Sequence, residues 1–183
     1  MDNVFIQEGV SYPATLPISW RKESNPGADE LATWMYANVT LLRALASIEA
    51  MQPEKEGELG SGAGKVLERL EFKIDLALNL ISQLLAQNTS APPACPALVS
   101  AKSVEWICQG APAQDEDILI SLYISPKLPQ PLTLPAKVIA VRNEEGASRI
   151  YATFTHLSDE AKDWLTRTVF RHHRRAIQNL HHD

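Results

Sequence analysis

No apolar run in this chain approaches the roughly twenty residues that a membrane-spanning helix needs. The opening residues, MDNVFIQEGV, also lack the charged-then-apolar layout of a secretory leader. Membrane insertion and export are therefore not expected, and a cytoplasmic location is. Cysteine is scarce: Cys95 and Cys108 are the only two, too few for a disulfide framework and without zinc-ligand spacing. Histidines are poorly spaced for a metal as well. His172 and His173 would project about 100° apart on a helix, and no two histidines stand three or four residues apart.

A phosphate-binding loop is missing too. The stretch GSGAGK invites that reading, but the first glycine of the motif would fall at Leu59, Val66 stands where a Ser or Thr is required, and no strand precedes it. Catalytic machinery finds no support. Asp115, Glu116 and Asp117 are consecutive and read as a solvated loop, while His156, Ser158 and Asp159 read as a helix cap rather than a triad drawn from distant positions. Neither an enzyme nor a metalloprotein is expected.

What the chain does have is an uneven charge. Its 183 residues carry a formal net charge of −5, yet Arg167, Arg171, Arg174 and Arg175 sit in a C-terminal stretch to His182 that holds no acid. The segment RHHRR, residues 171–175, is thus the only basic concentration in an acidic protein. On a helix its arginines recur three or four apart and share a face. It can serve as counter-charge at a helix C-terminus, as a contact for an acidic protein partner, or as a phosphate clamp. Nucleic-acid binding there is an outlier given the overall acidity.

The pattern along the chain alternates between strand and helix grammar. YPATLPISW, with two prolines, reads as an edge strand. SNPGADEL predicts a helix start with Asn25 as cap and Pro26 at the first helical position, and the helix runs to about Met51 before Pro53. Leu31, Trp34, Asn38, Leu41, Leu45 and Ile48 recur as heptad a and d positions, widened by Met35, Val39 and Leu42. Such a seam wants a partner helix. Asn38 is its one polar member, either a buried amide that fixes register and oligomer number or a residue at the wet margin. After the Gly-rich linker PEKEGELGSGAGK, a second helix repeats the pattern with Leu67, Leu70, Ile74, Ala77, Ile81 and Leu84. Phe72, Leu76 and Leu80 add a second apolar face, so the helix must touch more than one neighbour. Helix pairs from different subunits packing into a bundle would bury both.

Beyond the linker NTSAPPACPA the period becomes two. LVSAKSVEWIC alternates Val104, Trp106 and Cys108; DILISLYI puts Ile118, Ile120, Leu122 and Ile124 on one face; LTLPAKVIAVR alternates Leu132, Leu134, Ala136, Val138 and Ala140. NEEG turns into SRIYATFT as a hairpin. Ser158 then caps a last helix carrying Trp164, Leu165 and Val169. Five or six antiparallel strands with such a helix predict a small β-barrel or sandwich.

DILISLYISPKLPQPLTLPAKVIAV, its hairpin and FTHLSDEAKDWLTRTVF together resemble the second half of the PilZ family, bacterial six-stranded barrels that bind the second messenger cyclic di-GMP. LERLEFKIDLALNLISQLL is similar to the atypical, tetramer-forming branch, whose inserted helices assemble subunits through a helical bundle. The resemblance implies an α+β chain. Residues 1–24 and 95–183 would form a six-stranded antiparallel β-barrel with its C-terminal helix, and residues 25–94 an inserted helical hairpin for oligomerisation. The seam residues Leu31, Trp34, Asn38, Leu41, Leu45, Ile48, Leu70, Ile74, Ile81 and Leu84 would carry the contacts of a homotetramer.

The family's ligand motifs are RxxxR before the first barrel strand and [DN]-x-S-x-x-G at the next. FIQEGVSYPA, ahead of TLPISW, has no arginine; in LVSAKS, Ser100 matches the serine, Leu98 stands at the Asp/Asn position and Ser103 at the glycine. The expectation is thus a non-catalytic signalling or scaffold protein without a cofactor, acting in motility, type IV pilus function or virulence through protein contacts. The alternative is a cyclic di-GMP receptor with a non-standard pocket near Ser100, Arg171, Arg174 and Arg175.

Overall fold

The computed structural model describes residues 9–50, 70, 73, 74, 77, 91–126, 128, 130–144 and 146–180. Its elements run β1 (Ser11–Lys22), α1 (Ala28–Ala50), β2 (Ala94–Ser100), β3 (Ser103–Cys108), β4 (Asp117–Leu122), β5 (Leu132–Glu144), β6 (Ala147–Phe154) and α2 (Asp159–Leu180). Leu70, Lys73, Ile74 and Ala77 are helical as well. The rest of the expected second helix, Ile81 and Leu84 included, lies outside the described residues. Among the described residues no helix is long and apolar enough to cross a membrane.

The strands form one antiparallel sheet in the order β1-β2-β3-β6-β5-β4, closed on itself by β1. YPATLPISW was expected at an edge because of its prolines, and it is not there: β1 pairs with β2 through Pro17 and with β4 from Ile18 onward. The prolines are tolerated because of where their missing donors face. The Pro17 carbonyl accepts from the Tyr123 amide, on the side away from β2. Backbone groups of successive strand residues turn to alternate sides, so Pro13, four residues earlier, faces that same side, where its half of β1 has no partner strand. No ladder bond is lost at Pro13, while Pro17, at the very start of the pairing with β4, keeps the bond it accepts from Tyr123 and forgoes only the reciprocal one.

LVSAKSVEWIC is not one strand but two, split by a two-residue turn at Ala101 and Lys102, and β2 already begins within the expected linker at Ala94. The interior follows the period-two pattern. Val99, Val104, Trp106, Ile118, Ile120, Leu122, Leu132, Leu134, Val138 and Ile150 are fully buried together. Ala140 falls out of this phase because the β5–β6 register shifts between Val138 and Ala140, a bulge that leaves Ile139 unpaired and sets Ala140 opposite Tyr151. Gly146, at φ +80°, supplies the left-handed turn of the β5–β6 hairpin.

The start of α1 also differs from expectation. Asn25 sits in the left-handed region at φ +65°, and the cap is Gly27, whose carbonyl accepts from Leu31 while its amide donates to Glu30 Oε2 at 3.0 Å. This is the reciprocal half of a capping box, with glycine in place of a hydroxyl residue. At α2 the expected cap is present: Ala161 N donates to Ser158 Oγ at 3.2 Å.

Much of the α1 seam is consumed inside the chain. Leu41, Leu42 and Leu45 complete the core of the closed sheet, while Met35 and Val39 pack with Ala161 and Trp164 of α2. Asn38 is buried. Its Nδ2 donates to the Thr133 carbonyl at 2.7 Å and its Oδ1 accepts from the Thr133 amide at 2.8 Å. The amide therefore reads one residue at the start of β5, not another helix. The physical reason is that a heptad stripe and a sheet-facing stripe have nearly the same period, and the sheet lies closer in the fold.

Candidate functional site

Glu49 ends the exposed-to-buried sweep of α1 in its last turn, where a carboxylate opposes the helix dipole and no basic residue of α1 stands with it. Its counter-charges come from α2. Arg175 Nη1 donates to Glu49 Oε1 at 2.8 Å, His172 Nε2 lies 3.2 Å from the same oxygen, and Arg171 Nε lies 3.3 Å from Oε2. The Glu49 side chain is only 10% exposed. Burial pushes its pKa up, but the contact with the His172 ring and the Arg175 and Arg171 guanidiniums outweigh that, and the carboxyl is held below its ordinary value.

The same segment also grips β1. His173 Nδ1 lies 2.7 Å from the Ser11 carbonyl, an acceptor only, so Nδ1 carries the proton. The His172 ring stacks obliquely on Tyr12, with centroids 4.8 Å apart. Tyr12 is buried, and burial followed by the nearby Glu49 charge raises its phenol above the ordinary range. RHHRR is therefore the meeting point of β1, α1 and α2, with Arg171, His172, His173 and Arg175 turned inward. Arg174 is exposed. Arg167 pairs with Asp163 at 2.9 Å and lies over the Trp164 ring, as Arg43 does from α1.

Ser100 is one strand away, since Ser11 pairs with it across β1 and β2. The fold thus brings Ser100 and the basic segment to one end of the sheet. The Ser100 hydroxyl, however, is buried and spent in its own turn: its oxygen accepts from Ser103 N at 2.9 Å and Lys102 N at 3.1 Å, and it shares a bond with Ser103 Oγ at 2.8 Å. Beside the turn lies a hollow of about 500 Å³ lined by Lys102, Thr153, Phe154, His156, Lys162 and Thr166. Lys162 is engaged with Asp159 at 3.2 Å.

Of the expected oligomer contacts, Asn38, Leu41 and Leu45 are buried within the chain, and Leu31, Trp34 and Ile48 are partly covered. Leu70 and Ile74 are exposed, at 50% and 46%, as are Tyr36 at 77% and Phe170 at 50%. Glu49 was not singled out from sequence, although an acid in the last turn of a helix was a signal that cations must reach it. Glu105 was missed too; it is buried on β3 and paired with Arg149 at 2.8 Å. Among the described residues no cluster of three metal-ligating side chains occurs.

This closed six-stranded antiparallel sheet with a terminal helix across one end defines a PilZ-type domain, and residues 42–182 match the family model described as atypical PilZ domain, cyclic di-GMP receptor. The chain belongs to that family. It is similar over 94% of its length, at 28% identity and a TM-score of 0.74, to 93% of a pathogenic protein from Xanthomonas campestris, described as a tetrameric PilZ domain self-assembled via an unusual helical bundle. A Bacillus subtilis inhibitor of motility matches 45% of the chain, and 42% of its own, at 12% identity and a TM-score of 0.37. No curated protein matches the chain.

Proposed function

We propose that this member of the family works as a non-catalytic signalling scaffold: a homo-oligomer, with four subunits as the favoured number, that regulates motility, type IV pilus function or virulence by protein contacts. The carrying observation is the state of its ligand groups. The family's first arginine pair has no counterpart in FIQEGVSYPA, and Leu98 and Ser103 replace two of the three residues of its second motif. Two of the three arginines that could substitute are already used, because Arg171 and Arg175 neutralise Glu49, and only Arg174 stays exposed. A dianionic ligand taking them would strip a carboxylate whose side chain is only 10% exposed of its counter-charges, at a cost of about several kcal/mol typical of broken buried pairs.

Assembly is supported by the apolar side chains that remain outside. Tyr36, Leu70, Ile74, Phe170 and Ile177 are large, apolar and exposed, and contacts between subunits would cover them. The described tetramer of the Xanthomonas relative gives the same reading weight across nearly the whole chain. An acidic partner would meet Arg174 and Arg167, which stand exposed on α2.

The second reading is a cyclic di-GMP receptor with a non-standard pocket. It draws on the hollow beside Lys102, His156 and Lys162 and on its nearness to Ser100. Light scattering and ligand titration together separate the two. The scaffold reading expects an assembly at tens of micromolar with no saturable cyclic di-GMP binding; a monomer that binds the nucleotide would overturn it.

A further inference from the structure

The outward stripe of α2 has helical spacing and a chemistry of its own. Asp163, Arg167, Phe170, Arg174 and Ile177 follow at alternating intervals of four and three residues, and each of them is exposed. The opposite side of the helix is spent on the core, through Ala161, Leu165, Thr168 and Val169. Phe170 is 50% exposed and Ile177 42%. They stand about two turns apart, roughly 10 Å along the axis. Arg167 and Arg174 repeat that interval on the same stripe.

The charge of the stripe is one-sided. Arg167 is answered within the helix by Asp163 at 2.9 Å, an exposed pair of the kind that water and salt weaken. Arg174 has no acid opposite it among the described residues, whereas its neighbours Arg171 and Arg175 turn away to Glu49. From Trp164 to His182 the chain carries no acid at all. Phe170 and Ile177 are therefore apolar side chains set among cations, in a chain whose net charge is −5.

This setting decides between occupants. Two copies laid on each other through the stripe would bring arginine against arginine, and like charges oppose that pairing. An extended peptide needs a sheet edge, which a helix surface does not offer. A second helix fits, with apolar side chains three, four and seven residues apart lying along Phe170 and Ile177, and carboxylates beside them to meet the arginines.

We infer that this stripe docks an acidic amphipathic helix of a partner protein, with Phe170 and Ile177 as apolar anchors and Arg174 and Arg167 selecting the partner's charge. The inference rests on the scaffold reading and gives its protein contact a place and a chemistry. The arginines speed the encounter and reject cationic helices, while the two apolar side chains hold the helix once it is seated. Leu70 and Ile74 are left to self-association.

The test titrates the full chain into two fluorescent peptides of about twenty residues, long enough to sustain a helix. Both carry leucines at heptad spacing; one has glutamates on the flanking positions and the other lysines. Fluorescence anisotropy should show saturation of the glutamate peptide with a micromolar dissociation constant that weakens as salt is raised. Arg174→Glu and Phe170→Ser should each weaken it at least tenfold while melting as the parent does, and the lysine peptide should not saturate. No saturation by the glutamate peptide, equal binding of both peptides, or an unchanged constant in Arg174→Glu would overturn the inference. Light scattering on the same samples reads the subunit number. A fall in that number with Phe170→Ser would also overturn the inference, by making the stripe a contact between copies. A monomeric parent that still binds the glutamate peptide as described would uphold it while refuting the assembly, so the two failures are read apart.

Discussion

Arg175 Nη1 and Glu49 Oε1 meet at 2.8 Å, joining the end of α1 to the end of α2 across 126 residues of sequence. With Arg171 and His172 on the same carboxylate, this joint turns the chain's most basic segment from a free surface into a structural fastening. Glu49→Gln keeps the shape and removes the charge. It should destabilise the fold by about 1–3 kcal/mol, between the values typical of exposed and buried pairs, measured by denaturant unfolding. Arg174→Ala, on the exposed side, should leave stability within about 0.5 kcal/mol of the parent.

The Glu49 carboxyl is held below its ordinary value, which fixes the sign of a pH effect. A depressed carboxylate contributes its full stability above its unfolded pKa and loses it as pH falls through the folded one. The parent should therefore lose stability on acidification below about pH 5 more steeply than Glu49→Gln. Parallel slopes for the two proteins would show that Glu49 is not the group responsible.

Asn38 answers both backbone groups of Thr133. Asn38→Ile would leave a buried amide and a buried carbonyl without partners, costing about 2–4 kcal/mol. Its bonds lie within the chain, so the assembled mass measured by light scattering should not change. A new oligomer number with unchanged stability would return Asn38 to a subunit seam.

Ile74 is helical and exposed at 46%. A charge there costs the folded chain little but opposes burial against a second copy. Ile74→Glu should weaken self-association at least tenfold, read from the concentration dependence of the mass, while the melting of the subunit is retained.

The sheet was legible because its signal is local: Ile118, Ile120, Leu122 and Leu132, Leu134, Val138 alternate in sequence and are buried as written. The Ser158 cap follows from the same short-range chemistry. What escaped was decided by distance. The prolines of β1 mark an edge only if the strand has one partner throughout, and it changes partners at Pro17. The stripe Leu41, Leu45 fits a helix seam and a sheet surface equally, so only the folded chain reveals which one receives it. RHHRR gave its charge but not its counter-ion, since nothing in the sequence links residue 175 to residue 49.

The most direct measurement is a calorimetric titration of the assembled protein with cyclic di-GMP, in parallel with Arg174→Ala. The account predicts no saturable heat for either protein up to high micromolar ligand. A micromolar dissociation constant in the parent, weakened at least tenfold by Arg174→Ala, would contradict it and make the basic helix a nucleotide site after all.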